Sequence, residues 1–317
     1  MCIASPASAR QNNGNWRTAD RWRRMLARDY AVEIVGSTAD RLPECEVLIA
    51  LHARRSAPAI RAFRAQRPRG GLLLALTGTD VYRDIHEDPS AQASIAEADH
   101  LVALEPLALA ELPPEVRART SVVYQSAPAL SPGRRYASRF DIVQVGHLRP
   151  EKDPFTPIRA LRCLPPASRI RLTQIGSALD PELLVLMDIM LQEEPRLTWL
   201  GMLDYASTRQ RIKRAHLLVL ASRMEGGAHV IIEAVTSGVP VIASRVSGNI
   251  GMLGEDYAGY FEFGDAEECA RLMHRAETEP AFLARLEDQC RQRRDVFDPA
   301  REARELRLLV ERLVAEG

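Results

Sequence analysis

Short apolar runs alternate along the chain with longer stretches in which apolar side chains recur at helical spacing. That pattern predicts strand, helix, strand and a parallel sheet. The first apolar runs fall at 2–4, 32–35, 47–51 and 72–76, and two more at 101–104 and 121–124. A polar, glycine-containing loop opens the helical stretch ARQNNGNWRTADRWRRMLARDY, and further helices are predicted near 58–67 and 92–98. Proline, serine and glycine then crowd together in SAPALSPGRRYAS, residues 126–138, the composition of a domain boundary. Beyond it the architecture starts again, with strands at 141–145, 171–175, 197–200, 217–220, 240–243 and 259–261 and a helix near 155–164. A long amphipathic helix over 299–315 follows. The fold expected is α/β: two doubly wound, Rossmann-like domains, 1–136 and 137–298, facing each other across a central cleft. A terminal helix, 299–317, would pack back on the N-terminal domain.

In such sheets ligands bind at the C-terminal ends of the strands. The loops at those ends are 12–19 (NNGNWRTA), 51–56 (LHARRS) and 76–84 (LTGTDVYRD) in the first half. In the second they are 146–154 (GHLRPEKDP), 175–181 (IGSALDP), 201–208 (GMLDYAST) and 222–229 (SRMEGGAH). Glycine, hydroxyls, basic residues and histidine dominate them, a composition suited to phosphates and a hydroxylated ligand. The densest signal is 222–244, SRMEGGAHVIIEAVTSGVPVIAS: a loop ending in Glu225, paired Gly226 and Gly227, a helix carrying Glu233, a stop at Gly238 and a buried strand. Glycines before a helix leave its unpaired N–H groups open to a phosphate.

Length and composition narrow the function. A chain of 317 residues suggests two domains. Lys plus Arg and Asp plus Glu both number 42, so no net field points to nucleic acid. The five cysteines, Cys2, Cys45, Cys163, Cys269 and Cys290, show no metal or redox spacing and read as reduced thiols of a cytoplasmic protein. MCIASPASAR is too short and polar for a signal peptide, and no apolar run approaches the roughly 18 residues that insert stably in a membrane. No Asp-x-Asp follows a predicted strand and no Cys/His cluster has ligand spacing, so a reaction without metal or other cofactor is expected. The absence of Gly-x-Gly-x-x-Gly after the first strand argues against a nicotinamide enzyme.

VGHLRPEKDP, SRMEGGAHVIIEA and SGVPVIASRVSGN together resemble the donor domain of retaining GT-B glycosyltransferases, which use nucleotide-sugar donors without a metal. From about residue 14 onward, GNWRTADRW, LHARRS, LTGTDVYRDI, VYQSA, SGNIGMLGEDYAGYF and FDPAREARELRLL are also similar to the selenosugar synthases of the selenoneine pathway. That resemblance implies transfer of a sugar from a UDP-sugar such as UDP-GlcNAc, the co-substrate, to the selenium of selenophosphate. A C–Se bond forms and UDP leaves. It also implies a handover of selenophosphate from the enzyme that makes it.

The resemblance assigns roles that can be weighed against plainer ones. Glu233 would accept the ribose hydroxyls, and IIEAV puts it in apolar company where an unpaired carboxylate is costly; the plainer reading is a solvated helix glutamate. Glu225 would face the sugar, or merely cap the helix. Lys152 would neutralise charge growing on the departing UDP rather than lie on the surface. His147 stands where the family has arginine, and a neutral imidazole does not replace a guanidinium fork, so either Arg149 supplies that charge or stabilisation of the leaving group falls more on Lys152 and the helix N-terminus. Gly226, Gly227, Ala228 and His229 complete the donor set, with Gly14 and Asn15 as a second anion site.

On the acceptor side stand Thr18, Arg54, Arg55, Thr77, Gly78, Thr79 and Asp80, with His52 grouped with Glu225 and Lys152 as catalytic. A selenophosphate acceptor arrives as an anion with a strong nucleophile, so Arg54 and Arg55 form the expected clamp and Asp80 a positioning group. The arginines at 17, 21, 24 and 28 form a stripe that is read as a solvated face rather than a membrane contact. A second enzymatic reading is transfer to a hydroxyl or phosphate acceptor. A third, of another class, is a silent scaffold that binds nucleotide-sugar, against which the intact Glu225, Lys152 and Glu233 count.

Overall fold

The computed structural model describes residues 1–9 and 13–316. The chain divides into two compact units, Met1–Ser126 with Val296–Gly317, and Ala127–Asp295. The first holds six parallel strands, β1 (Cys2–Ser5), β2 (Glu33–Gly36), β3 (Val47–Leu51), β4 (Gly71–Leu76), β5 (His100–Ala103) and β6 (Thr120–Val122), in the order β2-β1-β3-β4-β5-β6. Because helices cover both faces, the central strands are apolar at every position, and alternate residues enter opposite cores. Leu48, Ala50, Leu72, Leu74 and Leu76 join Phe63 and Ile60 of the helix Ala57–Gln66 on one side. Val47, Ile49, Leu51, Leu73 and Ala75 join Trp22 and Leu26 of the helix Gly14–Leu26 on the other. Each such fully buried large side chain contributes about 1.5–3 kcal/mol.

The helix Pro299–Glu316 completes this second face through Leu306, Leu309, Val310 and Leu313. It also brings in a buried acid. Glu302, 1% exposed, accepts from Trp22 Nε1 at 2.7 Å, from Arg21 Nε at 3.0 and 3.1 Å and from Ser126 Oγ at 2.5 Å. Arg21 is therefore no part of a solvated stripe: packing against Pro299–Glu316 turns it inward onto a carboxylate that would be costly if left unpaired. Arg24 keeps the surface place expected of it, beside Asp20. Among the described residues no helix is long and apolar enough to cross a membrane.

The second unit repeats the parallel sheet with β7 (Phe140–Val145), β8 (Ile170–Ile175), β9 (Leu197–Trp199), β10 (Leu217–Leu220), β11 (Val241–Ser244) and β12 (Tyr260–Phe261), in the order β12-β11-β10-β7-β8-β9. The proline-rich stretch is fastened to this unit. Leu130 N–H reaches Thr236 O at 2.9 Å, Gly133 N–H reaches Lys213 O at 2.7 Å, and Arg135 binds Glu287 at 2.9 Å.

Strand order locates the crevices. In the second sheet the order reverses between β7 and β10, and in the first between β1 and β3. Crossovers leave a switch point toward opposite faces, so the loops that follow those strands part and leave room for a ligand. In the second unit these are 146–154 and 221–229. In the first they are 6–9 and 52–56; Asn12, counted in a binding loop above, lies outside the described residues with Arg10 and Gln11.

Candidate active site

At the end of β7 the chain turns sharply at Gly146, and at the end of β8 Gly176 closes on it. Gly176 has φ 145°, and a Cβ there would lie 1.9 Å from the Gly146 carbonyl oxygen, so only glycine lets the two strand ends meet. Gln174 Nε2 donates to the same carbonyl at 2.8 Å. His147 comes next, and its Nδ1 accepts the Ser177 N–H at 3.2 Å, a geometry that leaves the proton of a neutral ring on Nε2. His147 thus ties two loops together. Arg149 stands half-buried at the start of the short turn Pro150–Lys152, and Asp153 ends that turn in the left-handed region (φ 39°) and caps the next helix through Thr156.

The turn delivers Lys152 to the loop after β10. Arg223 N–H bonds Glu151 O at 2.9 Å, holding the two loops side by side. Lys152 Nζ then donates to both oxygens of Glu225, at 2.7 and 2.8 Å. The lysine is 36% exposed and the glutamate 7%. Behind the carboxylate, Ser222 Oγ donates to Oε1 at 2.5 Å, Ser244 Oγ donates to Ser222 O at 2.6 Å, and Asn249 Nδ2 donates to Ser244 O at 2.9 Å. Gly248 lies against the Glu225 backbone: a Cβ there would sit 1.9 Å from the Glu225 carbonyl oxygen.

Gly226, Gly227 and Ala228 then lead into the helix His229–Val235, which has no side-chain N-cap. Glycine at two of these positions keeps side chains away from the helix start, and a phosphate could approach its N–H groups. Glu233 is buried at 3% exposure, and Oε1 contacts His229 Nδ1 at 3.0 Å. The expected solvated alternative for Glu233 is excluded by this burial. The structure thus brings together Lys152, Glu225, Gly226, Gly227, Ala228, His229 and Glu233 on two adjoining loops and one helix, with His147 and Arg149 on the first of those loops. Gly14 and Asn15 belong to the first unit, as the first two residues of the helix Gly14–Leu26, whose N-cap Asn13 accepts the Trp16 N–H at 3.2 Å.

In the first unit the loops after β3 and β4 are organised by a carboxylate. Asp80 has no exposed surface; it accepts N–H bonds from Thr77 (2.9 and 3.1 Å), Gly78 (2.7 Å) and Ala53 (3.0 Å). With both oxygens so engaged, it holds the two loops together through backbone N–H groups. Thr18 is buried, donates to Gly14 O at 2.9 Å and accepts from Gln125 Nε2 at 2.7 Å. His52 is buried with φ 73°, a strained conformation for a residue with a Cβ. Its Nε2 meets Thr79 Oγ1 at 3.1 Å and its Nδ1 the Arg55 N–H at 3.4 Å. Burial above all pulls its pKa below the ordinary histidine value, against the opposing pull of Asp80. Both ring nitrogens are thus engaged within the loops that follow β3 and β4.

Asp84, at the end of a five-residue π-turn Asp80–Asp84, gathers the basic side chains: Arg54 Nε donates to it at 2.8 Å and Arg83 Nε at 3.0 Å. Arg55 is exposed. Thr77 and Thr79 are half-buried beside Gly78. Ser222, Gly248, Asn249 and Asp84 were not singled out from sequence. A hydroxyl at the end of an apolar strand, three residues before an acid, was the available signal for Ser222, and an acid following an arginine that for Asp84. Among the described residues no group of three or more His, Cys, Asp or Glu side chains forms a metal-ligand set.

Two Rossmann-like units of parallel strands give the chain the GT-B fold. The family of glycosyl transferases group 1 matches residues 132–293, just over half of the chain, and the chain belongs to it. Among solved structures it is similar to sucrose-phosphate synthase from Thermosynechococcus elongatus, with a TM-score of 0.81, 17% identity and 100% of each chain covered. It is also similar to HepE from Anabaena in complex with UDP and glucose, with a TM-score of 0.74, 16% identity and 98% of each chain covered. The pneumococcal O-GlcNAc transferase GtfA in complex with UDP and GlcNAc gives 0.67 and 16%, covering 84% of this chain and 57% of that one. At these identities the likeness carries the fold. Among curated proteins none matches significantly.

Proposed function

We propose that the protein transfers a sugar from a UDP-sugar, UDP-GlcNAc or a near relative, to selenophosphate in the cytoplasm, without a metal. The observation that carries the donor half is the Lys152–Glu225 pair beside the glycine-led helix start. The cation suits a diphosphate and the bare N–H groups suit its oxygens. HepE and GtfA, structures of the same fold, hold UDP with a sugar, which supports the same donor class here. Glu233 would receive the ribose and Glu225 the transferred sugar.

The acceptor half rests on the sequence resemblance, and Arg54, Arg55 and Arg83 at the loops of the first unit suit an anion. In the reaction the bond from the anomeric carbon to the β-phosphate oxygen breaks, its electron pair leaving with UDP. A selenium lone pair forms the C–Se bond, giving a sugar selenophosphate; water then cleaves Se–P to yield the selenosugar and phosphate. Lys152 would neutralise the charge growing on UDP.

The test is incubation of the purified protein with UDP-GlcNAc and, in turn, selenophosphate, thiophosphate, phosphate and simple alcohols, following UDP release and the mass of the sugar product. A selenium-bearing sugar made with selenophosphate is the expected result. Efficient UDP release with an alcohol in place of selenophosphate would defeat the acceptor, and donor binding without turnover would defeat the enzyme.

A further inference from the structure

The two oxygens of Glu225 are not held alike. Oε1 takes Lys152 Nζ at 2.7 Å and Ser222 Oγ at 2.5 Å, whereas among the described residues Oε2 meets only Lys152, at 2.8 Å. The partners also differ in kind. Lys152 is a half-exposed ammonium on a flexible stem, free to follow a ligand's charge. Ser222 has no exposed surface and is braced from behind: Ser244 Oγ holds its carbonyl at 2.6 Å, and Asn249 Nδ2 holds Ser244 through O at 2.9 Å and Oγ at 3.1 Å. Ser244 and Asn249 are likewise fully buried. Gly248 lies so close to the Glu225 backbone that a Cβ there would fall 1.9 Å from its carbonyl oxygen. These four residues come from the ends of β10 and β11 and from the helix Ser247–Leu253.

We propose that Ser222 is a positioning residue, anchoring Oε1 so that Glu225 keeps its orientation when a donor diphosphate draws Lys152 away, and Oε2 becomes the oxygen offered to the transferred sugar. The inference rests on the donor reading above. Ser222 touches Glu225 and not the donor, so its hydroxyl matters most once Lys152 has been drawn off. The cost of losing it therefore falls on turnover rather than on nucleotide affinity.

The experiment uses the full chain and Ser222→Ala. UDP affinity is measured by calorimetry, kcat and KM for UDP-GlcNAc by UDP release with the acceptor that works, and folding by thermal melting. A fall in kcat of about tenfold, the worth of one charge-assisted hydrogen bond, is expected, with UDP affinity and KM within about twofold of wild type. In a Glu225→Gln background the same substitution should have little further effect, since its target is already altered. Ser222→Thr, which keeps the hydroxyl, should recover most of the turnover. An unchanged kcat overturns the proposal. So does a loss shared equally by affinity, turnover and melting temperature, or an undiminished loss in the Glu225→Gln background. Failure of the wild type to bind UDP removes the donor reading and this inference with it; normal turnover by Ser222→Ala removes the inference alone.

Discussion

The loops at the strand ends of the two units spend their acids differently. In the second unit Glu225 is held by a half-exposed lysine and a buried serine, and two glycines follow it. In the first unit Asp80 is sealed by backbone amides and Asp84 by two arginines, so structure absorbs the carboxylates while charge at the surface is left to guanidinium groups. A carboxylate near a site is therefore a poor guide to chemistry until its partners are known. One with an exchangeable partner can act, and one saturated by N–H groups holds the shape of a loop.

Four substitutions test that contrast. Lys152→Ala removes the exchangeable cation and should cut UDP-releasing turnover by about 100- to 1000-fold, the scale of losing a group aimed at developing charge. A steady-state assay decides it, and an effect below about threefold would leave the lysine a surface residue. Asp80→Ala strips buried N–H groups of their acceptor and should lower stability by about 3 kcal/mol, read by denaturant unfolding. Preserved stability would move Asp80 to the functional side of the comparison. Glu233→Ala should weaken UDP binding about tenfold in calorimetry, a hydrogen bond to a charged group lost; full affinity would show that the ribose lies elsewhere.

The smallest effect belongs to His52. Burial holds its folded pKa below the unfolded value of about 6.5, so its contribution to stability is complete above that pH and is lost as pH falls toward the folded value. Asparagine tolerates the left-handed backbone, so His52→Asn should flatten the loss of stability as pH falls below about 6.5. A residual slope should persist, because His216 in the second unit is shifted the same way by burial. An unaltered slope in the variant would assign the pH dependence to other groups.

Much of the fold was legible in the sequence because the strands of a parallel sheet are buried on both faces. Runs such as VLIAL and LLVL stand out as unbroken apolar segments, and β3 and β10 coincide with them. The glycine–acid loop after β10 was legible for a related reason, since paired glycines before a helix have few other uses. What the sequence hid were partners distant along the chain. Nothing local in FDPAREARELRLL says that Glu302 will meet Trp22, and nothing in TGTDVYRD says that Asp80 turns inward while Asp84 collects arginines. Ser222 and Gly248 lie in stretches read for other residues; their importance is a matter of contact with Glu225 across a turn of the sheet.

The contact between Arg21 and Glu302 spans 281 residues. During synthesis the first sheet emerges early, yet the acid that satisfies Trp22, Arg21 and Ser126 and the helix that covers one of its faces come only after the whole second unit has been made. At about 5–20 residues per second this is a wait of roughly ten seconds or more, during which the second unit has time to fold and that face of the first sheet has the helix Gly14–Leu26 against it but not the terminal one. A chain halted before residue 299 would be expected to need chaperones for its N-terminal half alone.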